Sequence, residues 1–196
     1  MTRAAAIERN TKETKIKVQI DLDGSGKAEI RTGIPFFDHM LEQVARHGLF
    51  DLKVEADGDL QIDPHHTVED TGITLGQAIK QALGDARGIR RWGAAWVPFD
   101  ETLAFVTMDV SGRPFLACNA TFTRASVGAF DTELVPEFFR AVAVNAGLTL
   151  HMKIEYGANN HHMIEALFKG FGRALDEATR LDERRTDIPS TKGVLL

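Results

Sequence analysis

The chain has 196 residues, 43% apolar and 26% charged, with a formal net charge of −5; it can bury a proper core, and it lacks the basic balance of a nucleic-acid-binding surface. No apolar run approaches the roughly 18 residues a membrane helix needs, and the stretch MTRAAAIERNTKETK lacks the apolar centre of a secretory signal. A single cysteine, Cys118, rules out an intrachain disulfide and suits a reducing compartment, so a soluble, cytoplasmic protein that binds neither nucleic acid nor membrane is expected.

In chain order, Lys15 to Asp23 alternates apolar and polar residues and predicts a half-buried strand. Asp23-Gly24-Ser25-Gly26 reads as a turn from which Lys27 to Arg31 returns as a second strand. Pro35 can open a helix, Phe36, Phe37, Met40, Leu41 and Val44 recur at helical spacing, and Gly48 ends it. Leu49 to Ala56 predicts a strand and Asp57 to Pro64 a polar loop, before a helical pattern over Val68 to Leu83. A β-rich stretch follows (Ala94–Val97, Thr102–Val110, Pro114–Thr123), then a helix from about Leu134 to Ala146. Leu148 to Tyr156 predicts a strand, Gly157 to Asn160 a loop, and Met163 to Ala178 a helix, with an irregular tail beyond Asp187.

Each half thus reads helix, Gly-Leu, strand, polar loop, then His-His-x-x-Glu at the head of a helix. The loops differ in length, where length costs little. Two copies make an internal duplication, too few for a solenoid, and two sheets backed by helices give an α+β fold. The expected divisions are residues 1–92, 93–186 and a tail, 187–196.

The repeated motif carries the chemistry. In His65-His66-Thr67-Val68-Glu69, the first His and the Glu are four apart and share a helix face, while His66 points roughly 100° away. One ion cannot comfortably take all three, so His65 and Glu69 go to one metal and His66 to another. His161, His162 and Glu165 repeat the arrangement. A single such string arises readily by chance; two at matching places argue for first-row divalent metal, with mixed imidazole and carboxylate ligands. His39 and His47 lie about two turns apart on one helix; either could complete a site, and His39 is favoured. Its counterpart in the second half falls near Glu137. His151, in a strand, reads as structural or exposed. Arg91, Arg113, Lys169 and the Ser190-Thr191-Lys192 run are candidate anion binders, the usual donors to a phosphate; no Walker loop or dinucleotide fingerprint is present. A dinuclear phosphoesterase and a non-catalytic metal-binding assembly are the competing readings.

The strings GIPFFDHMLEQVARHGLFDL, HHTVED, DVSGRP, NHHMIEALFKGFGRAL and PSTKGVL resemble those of the imidazoleglycerol-phosphate dehydratase family of histidine biosynthesis, in its monofunctional form, from about Arg9 to Leu195. The resemblance implies a duplicated fold like domain 2 of ribosomal protein S5, and a cage of twenty-four copies. It implies two Mn²⁺ ions per active site, with ligands from neighbouring copies. One ion would take His39, His66, His161 and Glu165; the other His65, Glu69, Glu137 and His162. Some family members carry His where this chain has Glu137. Glu13, Gln43 and His47 would lie at the substrate, with Glu13 as acid/base beside Glu165. Arg91, Arg113, Lys169, Ser190, Thr191 and Lys192 would hold the substrate's phosphate. The implied reaction is loss of water from D-erythro-imidazole-glycerol phosphate to give imidazole-acetol phosphate.

Overall fold

The structure is a computed structural model describing residues 3–195; residues 1, 2 and 196, which belong to the expected first half and tail, lie outside it. The first half runs β1 (Ala4–Asn10), β2 (Thr14–Asp21), β3 (Ala28–Arg31), α1 (Pro35–Gly48), β4 (Asp51–Gly58) and α2 (His65–Leu83). The second runs β5 (Trp92–Phe99), β6 (Thr102–Val110), β7 (Phe115–Asn119), a short ribbon of β8 (Ser126–Val127) and β9 (Phe130–Asp131), α3 (Leu134–Ala146), β10 (Leu148–Tyr156) and α4 (Asn160–Thr179).

The duplication is visible in the topology. The first sheet has the order β1-β2-β4-β3 and the second β5-β6-β10-β7, with β3 parallel to β4 and β7 parallel to β10. Alternation decides the buried faces: Ile16, Val18 and Ile20 point inward from β2, and Ala104, Val106, Met108 and Val110 from β6.

Three features depart from the sequence reading. First, β3 does not return against β2. It pairs with β4, Ala28 opposite Leu52, and α1 makes the crossover. Asp51 sets this pairing, because its Oδ1 accepts the Ser25 N–H (2.7 Å) and the Lys27 N–H (3.0 Å) and draws the loop to the head of β4. Second, β1 shows no apolar–polar alternation to betray it; its backbone pairs with β2 at the sheet edge and only Ala5 is buried. Third, both motif helices start earlier than periodicity indicates. Asp63 accepts the His65 N–H (2.7 Å) and Asn159 the His161 N–H (2.9 Å), so each HHxxE string is helical from its first His.

Helices of the two halves pair crosswise, α1 on α4 and α2 on α3. A Cβ on Gly172 would stand 2.7 Å from Val44 O and 3.2 Å from Gly48 N; one on Gly76 would stand 2.7 Å from Val142 O and 3.0 Å from Ala146 N. The two crossings are the same contact made twice, and only Gly permits it. Buried rings fix the α1 junction: Phe37 meets Phe138 edge-on at 5.2 Å, and Phe138 stacks on Phe168 at 5.3 Å. The N-terminal turn of α1 is thereby held beside that of α4. Among the described residues, no helix is long and apolar enough to cross a membrane.

Candidate metal centre

Helix geometry splits each motif as expected. The rings of His65 and His66 lie 6.1 Å apart at 87°, and those of His161 and His162 lie 6.1 Å apart at 81°. The first His of each motif faces its own Glu one turn on, His161 Nε2 to Glu165 Oε2 at 2.9 Å and His65 Nε2 to Glu69 Oε2 at 3.9 Å.

The α1–α4 crossing brings a third donor to the second motif. His39 Nε2 lies 3.3 Å from Glu165 Oε2, and the ligand atoms of His39, His161 and Glu165 all lie within 4.8 Å of one another. Two imidazoles and one buried carboxylate converging from two helices are a donor set that fits a first-row divalent cation. Phe36 supports the His161 ring edge-on at 5.2 Å. Gln43 Nε2 is 3.4 Å from His39 Nδ1, placing Gln43 at the rim. Burial would raise the Glu165 carboxyl, but hydrogen bonds from Lys169 (2.7 Å) and His161 prevail and its pKa is lowered. The carboxylate is therefore ionised, as a ligand must be. Lys169 also stands 4.0 Å over the Phe99 ring. His47 is exposed; what desolvation it has, with the Lys169 and Arg173 cations, pushes its imidazole pKa down.

The other expected ligands do not join this cluster within one chain. Glu137 on α3 is the repeat counterpart of His39 on α1, but among the described residues it does not close a cluster with His65 and Glu69 as His39 does with His161 and Glu165. Its carboxylate is paired with Arg140. His66 Nδ1 donates to Asp59 Oδ2 (3.0 Å) and lies 3.9 Å from Glu13 Oε2. The Asp59 hydrogen bond raises the His66 pKa. His162 Nδ1 donates to Glu101 Oε2 (2.7 Å), which holds the Glu101 carboxyl down at about 2. Neither Asp59 nor Glu101 belonged to the expected set. The available signals were the Glu-Thr pair that opens the second strand of each sheet, and an acidic residue just ahead of the first motif.

The expected phosphate grip forms a second group. Arg91, at positive φ (79°), makes a two-pronged pair with Asp109 (2.7 and 3.1 Å) and donates to Pro189 O (2.8 Å), which fastens the tail beside it. Arg113 Nη2 is 3.8 Å from the same Asp109, and Ser190 Oγ accepts the Lys192 N–H (3.2 Å). Thr191 and Lys192 are exposed. The Arg91 N–H donates to Ala178 O, at the far end of α4 from His161. At 1.5 Å per residue, about 25 Å of helix separates the two groups.

A twice-repeated sheet-and-helix unit bearing a converging His/His/Glu cluster defines a metal-binding enzyme on a duplicated α+β fold. The model of the family described as imidazoleglycerol-phosphate dehydratase matches residues 32–175. The imidazoleglycerol-phosphate dehydratase of Symbiobacterium thermophilum is 61% identical over 98% of this chain and 93% of its own length, and that of Acetivibrio thermocellus 60% identical over the full length of both. Crystal structures of the dehydratases of Staphylococcus aureus (42% identity, TM-score 0.83, 91% of this chain and 99% of that one) and Pyrococcus furiosus (38%, 0.83, 96% and 100%) share the fold. The chain belongs to the imidazoleglycerol-phosphate dehydratase family, and it is a hydro-lyase of histidine biosynthesis.

Proposed function

We propose that the dehydration of D-erythro-imidazole-glycerol phosphate to imidazole-acetol phosphate takes place at a site of two Mn²⁺ ions assembled from neighbouring copies of the chain, as a homo-oligomer of twenty-four. The observation that carries this reading is the convergence of His39, His161 and Glu165. His66 completes their set from another copy; His65, Glu69, Glu137 and His162 form the other set. When bound, the ions supply Lewis acidity toward the substrate's imidazole ring.

Sharing between copies is supported by distance. The Arg91, Arg113 and tail group lies about 25 Å of helix from the His39 cluster, too far for one small substrate to span both within a single chain. Arg91, Arg113, Ser190, Thr191 and Lys192 of one copy then hold the phosphate of a substrate whose ring lies at the helix N-termini of others. Lys169, beside Glu165, adds a cation to that pocket. Gln43 and His47 on α1 border it and orient the side chain of the substrate. Glu13 holds or delivers the proton at the carbon that no carbonyl acidifies, and it is an exposed carboxylate of the right type. Glu165 positions the ring through its ion. The divisions at residues 92 and 186 mark off two repeats, each contributing ligands to both metal sets, and a tail that joins Arg91 and Arg113 in holding phosphate. The lone half-buried Cys118 suits a reducing cytoplasm.

The decisive experiment removes metal with a chelator and restores it. Turnover should vanish and return with two Mn²⁺ per active site, and the assembled mass should be that of twenty-four chains. Full ketone formation without metal rejects the reading. Release of inorganic phosphate in place of ketone would point to a phosphoesterase.

A further inference from the structure

The duplication extends to the acidic residues around the second His of each motif, but there the two halves divide the labour differently. Glu13-Thr14 opens β2 and Glu101-Thr102 opens β6, with both threonines buried. Gly58 and Gly157 face these threonines alike. A Cβ on Gly58 would press on Thr67 Oγ1 (2.1 Å) and meet Thr14 Cγ2 (3.5 Å); one on Gly157 would press on Thr102 Oγ1 (2.6 Å) and Met163 Cγ (2.8 Å). Thr67 and Met163 each follow the second His of their motif. Glu13 is therefore the spatial counterpart of Glu101, and Asp59, after Gly58, is the counterpart of Ala158, after Gly157.

Glu101 is fully engaged. Oε2 accepts from His162 Nδ1 at 2.7 Å, and Oε1 accepts the Asn159 N–H at 2.8 Å and the Ala158 N–H at 3.2 Å. Glu13 is not. Its carboxylate stops 3.9 Å from His66 Nδ1, because that nitrogen already donates to Asp59 Oδ2 at 3.0 Å. The Asp59 side chain is 10% exposed and its other oxygen is buried without a partner, so the His66 hydrogen bond is the contact that fixes it. In the second half Ala158 has no carboxylate to offer, and Glu101 takes the imidazole instead.

We infer that Asp59 and Glu101 are positioning residues, each fixing the second His of its motif with Nδ1–H as donor and Nε2 turned to a metal ion, and that Asp59 thereby releases Glu13 from the role its counterpart performs. A carboxylate on the far nitrogen sets the tautomer and ring direction of a ligating imidazole. The inference rests on the reading that His66 and His162 are ligands.

Mn²⁺ itself is the probe, with binding to the assembled protein followed by the electron-paramagnetic-resonance signal of free ion. Asp59→Asn and Glu101→Gln should each weaken Mn²⁺ binding roughly 10–100-fold. Glu13→Gln should bind Mn²⁺ as the parent does while losing turnover. Adding Ala158→Asp to Glu101→Gln should recover binding by giving the second half the arrangement of the first. Parent-like binding by both Asp59→Asn and Glu101→Gln overturns the inference, as does an equal loss in Glu13→Gln. Should Asp59→Asn fail to fold, the partly exposed Glu101 still decides the matter. His66→Ala and His162→Ala separate the two levels. If they also bind normally, the ligand reading itself falls; if they alone lose metal, only the positioning roles fall.

Discussion

Gly172 lies so close to Val44 that a Cβ would stand 2.7 Å from the Val44 carbonyl oxygen. This contact sets the separation of α1 and α4 and hence the reach of His39 to Glu165. Gly172→Ala and Gly76→Ala must each push apart two packed helices, at a cost of roughly 1–3 kcal/mol. Denaturant midpoints check both. Similar losses at the two sites are expected from one contact made twice, and Gly172→Ala should also lower metal affinity.

Glu165→Gln keeps the shape of the buried side chain but removes the charge that faces His39, His161 and Lys169. It should lose metal and, with it, about two orders of magnitude or more in kcat. Metal analysis of the purified variant beside its turnover checks this; metal retained at parent level with turnover lost would assign Glu165 to proton transfer instead.

Glu137 is the proposed ligand at the repeat counterpart of His39. Glu137→His should keep Mn²⁺ binding within about tenfold of the parent, and Glu137→Ala should fall further. Because the carboxylate is paired with Arg140, Arg140→Ala should leave metal binding intact or strengthen it. A titration of each variant with Mn²⁺ gives the ranking.

Lys192 stands on a tail fastened through the Arg91–Pro189 contact. Lys192→Ala should weaken binding of the substrate phosphate by roughly 1.5–3 kcal/mol, the scale of hydrogen bonds to charged groups, seen as a raised KM. Arg91→Ala should cost more, since it both frees the tail and leaves Asp109 with only the longer Arg113 contact. An unchanged KM in both would remove the tail from the site.

Asp51 is held below the usual carboxylate range, chiefly by the Ser25 N–H and then by that of Lys27. A depressed folded value means that its stabilisation is complete above the ordinary Asp pKa of about 3.9 and is lost as the pH falls through the lowered value. Asp51→Ala should therefore melt lower than the parent near neutral pH, and the gap should close as the pH is taken down below the ordinary Asp value and through the lowered one. A gap independent of pH would mean that the side chain acts through packing alone.

The sequence by itself determined most of the elements, though not β1 or the β8–β9 ribbon, and it determined the repeat. Alternation at Ile16, Val18 and Ile20, helical spacing from Phe36 to Val44, and the twin HHxxE strings are local signals, because side-chain direction follows directly from strand and helix geometry. The same geometry turns the two His of each motif in different directions, and their rings stand at 87° and 81°. Pairing and convergence were decided by tertiary structure. The hairpin legible at Asp23-Gly24-Ser25-Gly26 gave way to the Asp51 carboxylate, which moves β3 beside β4. The meeting of His39 with Glu165 depends on Gly172 and the Phe37–Phe138–Phe168 contacts. Which carboxylate holds which imidazole turned on Asp59 standing where the other half has Ala158. Such contacts join residues far apart in the chain, and no local periodicity encodes the distance between them.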